Sequence, residues 1–528
     1  MTKEKKQNNG KAAKTIGVMA IIIMLAKVMG LVREMLVANI YGQGMESDML
    51  NTATQIPLLF FDMVLGVAIL STFVPIFNKN LEHKGKEAAM AFANNFAAIV
   101  GLIATGAAVL GIIFAEPIVH LMVPGYAEIP GKTEQTAALL RILFPSITFT
   151  AMAYIAVGIL QSFGEFTVPS LISVVSNGVM IIYLVIFGNK MGLVGVAVSM
   201  LIAWIMQLLV QIPHLKKFGY RYKFIMNFKD GDIIEAAKVA LPVLISSWVQ
   251  PFCNVINMSF GSGMGDGAVS ALNWANKIYI IMVGVFAYAI TNFIFPKLSR
   301  ISGEDKGEEF AETTRMSVGY IVYIIAFVCA MFLALSRPII SIVFERGAFD
   351  AEASAITGEA LFFYSFGMIG YAVCEVLNKS FYALSDGKTP MVTSIIGVMV
   401  NLGAAALFVL VLKMGVGGLA LASAVSSIAI ALCLGFMINK RRAGVINRDF
   451  IINTVKILAC GGVAFLVAKL TDGFVSGIGT GTLMTFLRLC ICGVPSLLVY
   501  LALSYVIKVK EACVAAGFVK RGRYRNGR

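Results

Sequence analysis

Hydrophobic and polar positions fall in long blocks along this chain. Apolar stretches of more than 18 residues recur between short polar breaks, and a bilayer core about 30 Å thick is crossed by about 20 such residues in a helix. The blocks predict membrane helices near 15–40, 52–77, 88–115, 137–163, 169–188, 192–213, 233–261, 270–295, 313–336, 355–384, 389–412, 416–438, 450–470 and 483–507, which makes 14 spans. The segments lack the ten-residue in/out alternation of barrel strands. The expected class is therefore an all-α polytopic membrane protein.

Composition agrees. Of 528 residues, 58% are hydrophobic and 14% charged, with mean hydropathy +0.84, against roughly 45–50% and about 25% in soluble domains. A soluble globular domain is excluded. The eight cysteines sit mostly inside apolar blocks, which excludes a secreted disulfide scaffold, and Cys490-x-Cys492 reads as packing rather than a metal site.

The formal net charge of +14 follows from topology and does not call for nucleic acid. Lys3, Lys5, Lys6, Lys11 and Lys14 precede the first span, whose length, internal charges and lack of a small-residue cleavage site argue against a removed signal peptide. With both termini cytoplasmic, the inner loops carry Lys79, Lys84, Lys86, then Lys216, Lys217, Arg221, Lys223, Lys229, then Lys297, Arg300, Lys306, then Lys440, Arg441, Arg442, Arg448. The tail adds Lys520, Arg521, Arg523, Arg525 and Arg528, while the outer loops hold only Lys132, Lys190, Arg337, Arg346 and Lys413. That asymmetry obeys the positive-inside rule.

An internal repeat shows in the prolines. Pro75, Pro117 and Pro169 recur 221 residues later as Pro296, Pro338 and Pro390, and the same shift lays Gly42 and Gly44 on Gly263 and Gly265. Lys190-Met191-Gly192 returns as Lys413-Met414-Gly415, two residues out of register. The expected organisation is a basic N-terminus (1–14), a first six-helix lobe (15–230), a second (231–445), two further helices (446–510) and a basic tail (511–528). Six spans per lobe is an even number, so both lobes enter the membrane from the same side as a parallel repeat. Alternating access by rocking of the lobes is the default mechanism of such a repeat. No Walker loop, HExxH helix or GxSxG elbow is present, so neither an enzyme, a metal site nor a cofactor is expected.

Ionisable residues within spans cost about 2.5–3.5 kcal/mol each at a helix centre and so point to function. The first span carries Lys27, Arg33 and Glu34; the second, Asp62; the eighth begins Trp274-Ala275-Asn276-Lys277. Lys27 and Arg33 are six residues apart, which leaves them about 120° apart around a helix. Lys27, Arg33 and Lys277 are candidates for a shared cationic chamber suited to a phosphate-bearing substrate, since Arg grips phosphate oxygens bidentately and Lys acts as a point charge. Asp48 is a further candidate, weighed against a helix N-cap, and Glu34 and Asp62 are accessory charges; the competing reading of the cations is structural, with Lys27 paired to a carboxylate such as Asp62 and Arg33 paired to Glu34 or snorkelling to the interface.

At these residues the sequence resembles the MurJ/MviN lipid II flippases of the multidrug/oligosaccharidyl-lipid/polysaccharide (MOP) exporter superfamily. The resemblance lies in Gly30 to Glu34, Gly42 to Asp48, Phe73-Val74-Pro75-Ile76-Phe77, Val123-Pro124-Gly125-Tyr126, Gln211 to Lys217, and Ser380-Phe381-Tyr382 running to Lys388-Thr389-Pro390. It implies two six-helix lobes around a cationic cavity, with substrate-binding residues at Lys27, Arg33, Lys277 and Asp48. It also implies a groove for the undecaprenyl tail along helices 13 and 14, around Ile451, Leu458, Phe465, Leu483 and Phe486. The family often has arginine where Lys27 and Lys277 stand, and an arginine in the second span where this chain reads Phe61-Asp62; sodium coupling is not carried over, because only Asn401 matches. The expected partners are lipid II and membrane lipids, with cell-wall synthesis proteins as further candidates. The expected form is a monomer in a bacterial plasma membrane. The alternatives are a flippase for another polyprenyl-linked glycan and a cation-coupled drug exporter; a non-transporting membrane scaffold would share the hydropathy alone.

Overall fold

The computed structural model describes residues 3–62, 66, 69–188, 190–247, 249–303, 306–475 and 481–514, with most side chains from Val18 onward. The tail cations from Lys520 to Arg528 lie outside the described residues. All regular structure among the described residues is helical. Ten helices are long and apolar enough to cross a membrane, or eleven when one bent pair counts as a single span. The protein is thus an all-α polytopic membrane protein, and the number of spans established among the described residues is ten or eleven.

The chain forms two compact units. The first, residues 1–269 with 346–349, contains α1 (Lys3–Tyr41), α2 (Met45–Phe61), α3 (Val74–His83), α4 (Lys86–Ile113), α5 (Ala115–Met122), α6 (Lys132–Leu143), α7 (Ser146–Ser162), α8 (Thr167–Phe187), α9 (Gly192–Leu209), α10 (Ile212–Lys217), α11 (Gly231–Ser247) and α12 (Val249–Ser262). Here α1 packs on α8, α2 on α6, and α4 on α7. Phe73, Phe77, Phe92 and Phe96 pack ring on ring in its core, with centroids 5.1 to 5.7 Å apart. The seventh expected span, here α11 and α12, belongs to this unit: α11 packs on α4, and Ser262 Oγ at the end of α12 accepts from the Gly125 amide at 3.1 Å.

The second unit, residues 270–345 and 350–528, contains most of α13 (Ala268–Gly303), then α14 (Gly307–Phe344), α15 (Ala351–Ser365), α16 (Met368–Ala383), α17 (Lys388–Ala406), α18 (Gly415–Arg441), α19 (Arg448–Val475) and α20 (Thr482–Val506). The two last helices pack on α14. Tyr500 of α20 donates to the Tyr323 carbonyl at 2.6 Å, and Arg315 of α14 donates to the Gly444 carbonyl at 2.7 Å.

The 221-residue repeat is written into the backbone. Proline lacks an N–H and its ring crowds the preceding turn, and at one proline pair of the repeat the helices break just ahead of it, whereas α13 runs on through Pro296. The breaks fall at Phe114 (φ −97°, ψ 20°), three residues before Pro117, and at Leu335 (φ −126°, ψ 24°), three before Pro338. Pro169 and Pro390 are each the third residue of their helices, where no intrahelical N–H is lost.

The preceding turns match bond for bond. Gly164 N donates to Gln161 O and Glu165 N to Leu160 O, while Ser385 N donates to Tyr382 O and Asp386 N to Phe381 O, at 2.9 to 3.0 Å. Both are the paired C-terminal bonds of a helix ending in a left-handed residue, Gly164 at φ 79° and Ser385 at φ 56°. The next residue then caps the following helix. Glu165 accepts from the Thr167 and Val168 amides, and Asp386 from those of Lys388 and Thr389.

Candidate functional site

The intramembrane cations break the repeat. Shifted by 221 residues, Lys27, Arg33, Asp48 and Lys132 fall on Trp248, Asn254, Val269 and Ala353, and Lys277 falls on Ile56. Each of these charges is placed once.

Arg33 stands on the face of α1 that meets α8. One terminal nitrogen donates to Asn177 Oδ1 at 3.0 Å and the other to Glu34 Oε1 at 2.6 Å, and Asn177 Nδ2 reaches back to the Ala26 carbonyl at 3.2 Å. The guanidinium is thereby held in one orientation while its side chain stays 29% exposed. Lys27, on the same helix, is exposed, and no carboxylate pairs with it among the described residues. Asp62 is exposed at the C-terminal end of α2, and a short π-helical turn, Ile69–Phe73, leads into α3. Lys277 is half-buried on α13, one turn after the fully buried Trp274, whose ring packs 5.7 Å from that of Phe344. Lys27, Arg33, Glu34, Asp48 and Asp62 lie in the first unit and Lys277 in the second.

Asp48 sits in a buried ion cluster that the sequence did not reveal. Lys132, at the first turn of α6, is fully buried; its Nζ donates to Asp48 Oδ2 at 3.0 Å and to Asp266 Oδ1 at 2.7 Å, and lies 4.2 Å from the centroid of the Tyr126 ring. The Gly267 amide donates to the same Asp48 oxygen at 2.8 Å. Burial, and then the nearby Asp48 carboxylate, raise the Tyr126 hydroxyl well above its usual pKa, so it stays protonated and pairs with Thr52 Oγ1 at 2.9 Å. Asp48 lies in the first turn of α2, whose cap is Gly44. One ammonium thus binds three connections: the turn into α2, the 124–132 turn and the 265–267 turn.

The sequence pattern had placed Lys132 merely among the sparse outer-loop cations. Its partners stand 84 and 134 residues away, and no local spacing signals such a contact.

The second unit holds an apolar cavity of about 410 Å³, lined by Val322, Phe366, Ile428, Phe450 and Leu458 with Arg315 at its wall. Of the expected tail-groove residues, Leu458 lines this cavity, while Ile451, Leu483 and Phe486 are exposed apolar surface of α19 and α20.

The fold is the multi-pass helical one also seen in solved transporter structures. A multidrug transporter of the multidrug and toxin extrusion (MATE) type, in an inward-facing conformation, matches with a TM-score of 0.66 at 16% identity over 81% of this chain and 98% of that one. A lipid II flippase MurJ structure in an inward closed conformation matches with a TM-score of 0.78 at 24% identity over 93% of this chain and 98% of that one. The sequence profile described as lipid II flippase MurJ matches residues 37–487, and the chain belongs to that family. Curated relatives named probable lipid II flippase MurJ include those of Rickettsia prowazekii (27% identical, 73% of this chain and 76% of the relative) and Buchnera aphidicola subsp. Schizaphis graminum (26%, 72% and 74%). The one from Bdellovibrio bacteriovorus is 23% identical over 96% of this chain and 97% of its own length.

Proposed function

We propose that this protein is a lipid II flippase, which carries an undecaprenyl-diphosphate-linked peptidoglycan precursor from the inner to the outer leaflet by alternating access. The match to the MurJ family over residues 37–487 carries this reading. The charges supply its chemistry. A diphosphate headgroup cannot enter hydrocarbon unpaired, because an isolated ion there costs many kcal/mol.

Lys27, Arg33 and Lys277 supply the compensating positive charge. Arg33, with its guanidinium steadied by Asn177 and Glu34, presents a preset donor fork; Lys27 and Lys277 act as point charges. Asp48 serves the same transport from the buried cluster, by holding the loop at the end of α1. Asp62 remains an accessory charge beside the path. The prenyl tail travels along α19 and α20, where protein and lipid are equally apolar, so the surface guides the tail rather than binding it tightly. No bond of the substrate is made or broken, so the protein is not an enzyme. The excess of Lys and Arg in alternate loops supports an orientation with both termini cytoplasmic, and on this reading the protein works in a bacterial plasma membrane.

The direct test reconstitutes the full-length protein in liposomes with fluorescent lipid II and follows headgroup access to an impermeant quencher. The reading predicts protein-dependent translocation that Arg33→Ala or Lys277→Ala abolishes. Equal translocation by the parent and the Arg33→Ala, Lys277→Ala double variant would overturn the assignment of the cations. Transport of a different polyprenyl-linked glycan with lipid II left in place would overturn the substrate.

A further inference from the structure

The connection between α10 and α11 carries a feature that transport does not use. From Arg221 to Lys229 every residue is exposed, and the run contains Tyr222 (56% exposed), Phe224 (70%), Ile225, Met226 and Phe228 (57%). Large apolar side chains at that density on a polar loop mark a contact surface. The charge is equally one-sided. Residues 216–229 contain Lys216, Lys217, Arg221, Lys223 and Lys229 and no carboxylate. The next residue, Asp230, turns its carboxylate onto the start of α11, where it accepts from the Asp232 and Ile233 amides, and the acids on α11 are paired, Asp232 with Lys84 at 2.9 Å and Glu235 with Lys79 at 2.9 Å.

The strip is also held in shape. Asn94 and Asn95, both buried in α4, clasp its main chain. Asn94 Oδ1 accepts from the Lys223 amide at 3.1 Å and its Nδ2 donates to the Arg221 carbonyl at 3.5 Å; Asn95 accepts from the Asn227 amide at 2.8 Å and donates to the Asn227 carbonyl at 3.0 Å. Contacts at residues 221 and 223 have the two-residue spacing at which an extended chain turns one edge the same way. Two buried asparagines spent on a loop give it a fixed presentation, with the aromatic and cationic side chains left outward.

We propose that residues 221–229 form a rigid anchor that seats the first unit on an anionic lipid surface, with Tyr222, Phe224 and Phe228 in the headgroup layer and Arg221, Lys223 and Lys229 on lipid phosphates. The segment follows directly on the membrane-crossing stretch Gly192–Lys217 and leads into the apolar block expected to span at 233–261, a position at the interface, where aromatic rings with polar surroundings are favoured. Basic residues at an anionic surface each add about a fivefold preference, which salt weakens within a Debye length of about 8 Å. Interleaved rings and cations match the two properties of that surface together. The side of the membrane it faces rests on the orientation proposed above; the contact itself does not.

The test uses the full-length protein in nanodiscs, which expose both faces alike, so that neither orientation nor transport enters the result. A Phe224→Cys variant carries an environment-sensitive fluorophore, and collisional quenching by aqueous iodide is read with and without phosphatidylglycerol in the disc. The proposal expects several-fold protection of the label in anionic discs, and loss of that protection in high salt and in the Arg221→Gln, Lys223→Gln, Lys229→Gln variant. An Asn94→Ala, Asn95→Ala variant should raise quenching even in anionic discs, because the clasp is gone. Equal iodide access in anionic and zwitterionic discs would overturn the proposal. So would protection that arises only in native membranes and not in pure lipid, which would assign the strip to a protein partner.

Discussion

Replacing Lys132 by methionine keeps the side chain's length and removes its charge at the centre of the buried cluster. Asp48, fully buried, then keeps the Gly267 amide at 2.8 Å but loses the ammonium at 3.0 Å. Asp266, whose side chain is 47% exposed, can turn to water. The penalty therefore falls on Asp48, and removing one partner from a buried ion pair costs about 3–5 kcal/mol.

Two companion variants separate this account from a simple packing defect. Asp266→Ala removes the half-exposed arm and should cost about 1 kcal/mol or less, in the range of exposed pairs. Asp48→Asn combined with Lys132→Met removes both charges and should recover most of what Lys132→Met alone loses, since the two residues are in contact and their effects are not additive. The assay is thermal unfolding of the purified full-length protein, set out as a double-mutant cycle and read together with external labelling of Glu46→Cys, an exposed position in the first turn of α2 beside Asp48. An unchanged melting temperature for Lys132→Met, or no recovery in the double variant, would refute the reasoning.

Lys27→Ala, Arg33→Ala and Lys277→Ala should each fail to complement loss of the protein in its host while still reaching the membrane, whereas Lys27→Arg should complement; immunoblots of membranes alongside growth read both. Gly42→Ala should destabilise the first unit by more than the roughly 1 kcal/mol of a left-handed backbone, because at φ 62° the new methyl would also run into the Ala348 carbonyl, and thermal unfolding reads the shift. Burial raises the Asp232 carboxyl, but hydrogen bonds from Lys84 and Asn80 outweigh that and leave its pKa below the ordinary value of 3.8. Its contribution to stability is therefore complete above that value and lost as pH falls through the lowered one. An Asp232→Asn variant should show a shallower acid limb of melting temperature against pH. Cysteine at exposed Glu46 should label from outside and at Lys223 only after permeabilisation; Ser47 is unsuitable, because it is buried with its hydroxyl on the Gly42 carbonyl, and so is Gly265, whose backbone is left-handed at φ 97°.

Much of the fold was legible because membrane helices announce themselves by length and hydropathy, and because proline acts locally. The 221-residue offset in Pro117 and Pro338 returned as two backbone breaks at the same offset, and Gly164 and Ser385 as two identical helix ends. Positive φ at a serine could not be read from composition; only the repeat pointed to it. The compact units divide after residue 269, beyond the seventh span, because α11 and α12 pack on α4 and on the 124–128 turn, and such packing has no signature in hydropathy.

The candidate charges were visible as costly exceptions inside apolar blocks. Glu34 was legible as a neighbour for Arg33 to pair with, and the two do pair; the long-range partners were not legible. Asn177, which fixes Arg33, is an ordinary polar residue in a span 144 positions away. Lys132 looked like a solvated loop cation until Asp48, Asp266 and Tyr126 were found around it.

The account turns on what is carried across the membrane. Depleting the protein in its host, followed by measurement of which lipid-linked precursor accumulates with its headgroup on the cytoplasmic face, tests that most directly. The account predicts accumulation of lipid II inside, with loss of lipid II from the outer leaflet before growth stops, restored by the parent gene and not by Arg33→Ala. Accumulation of a teichoic-acid or capsule precursor, with lipid II export unaffected, would contradict it.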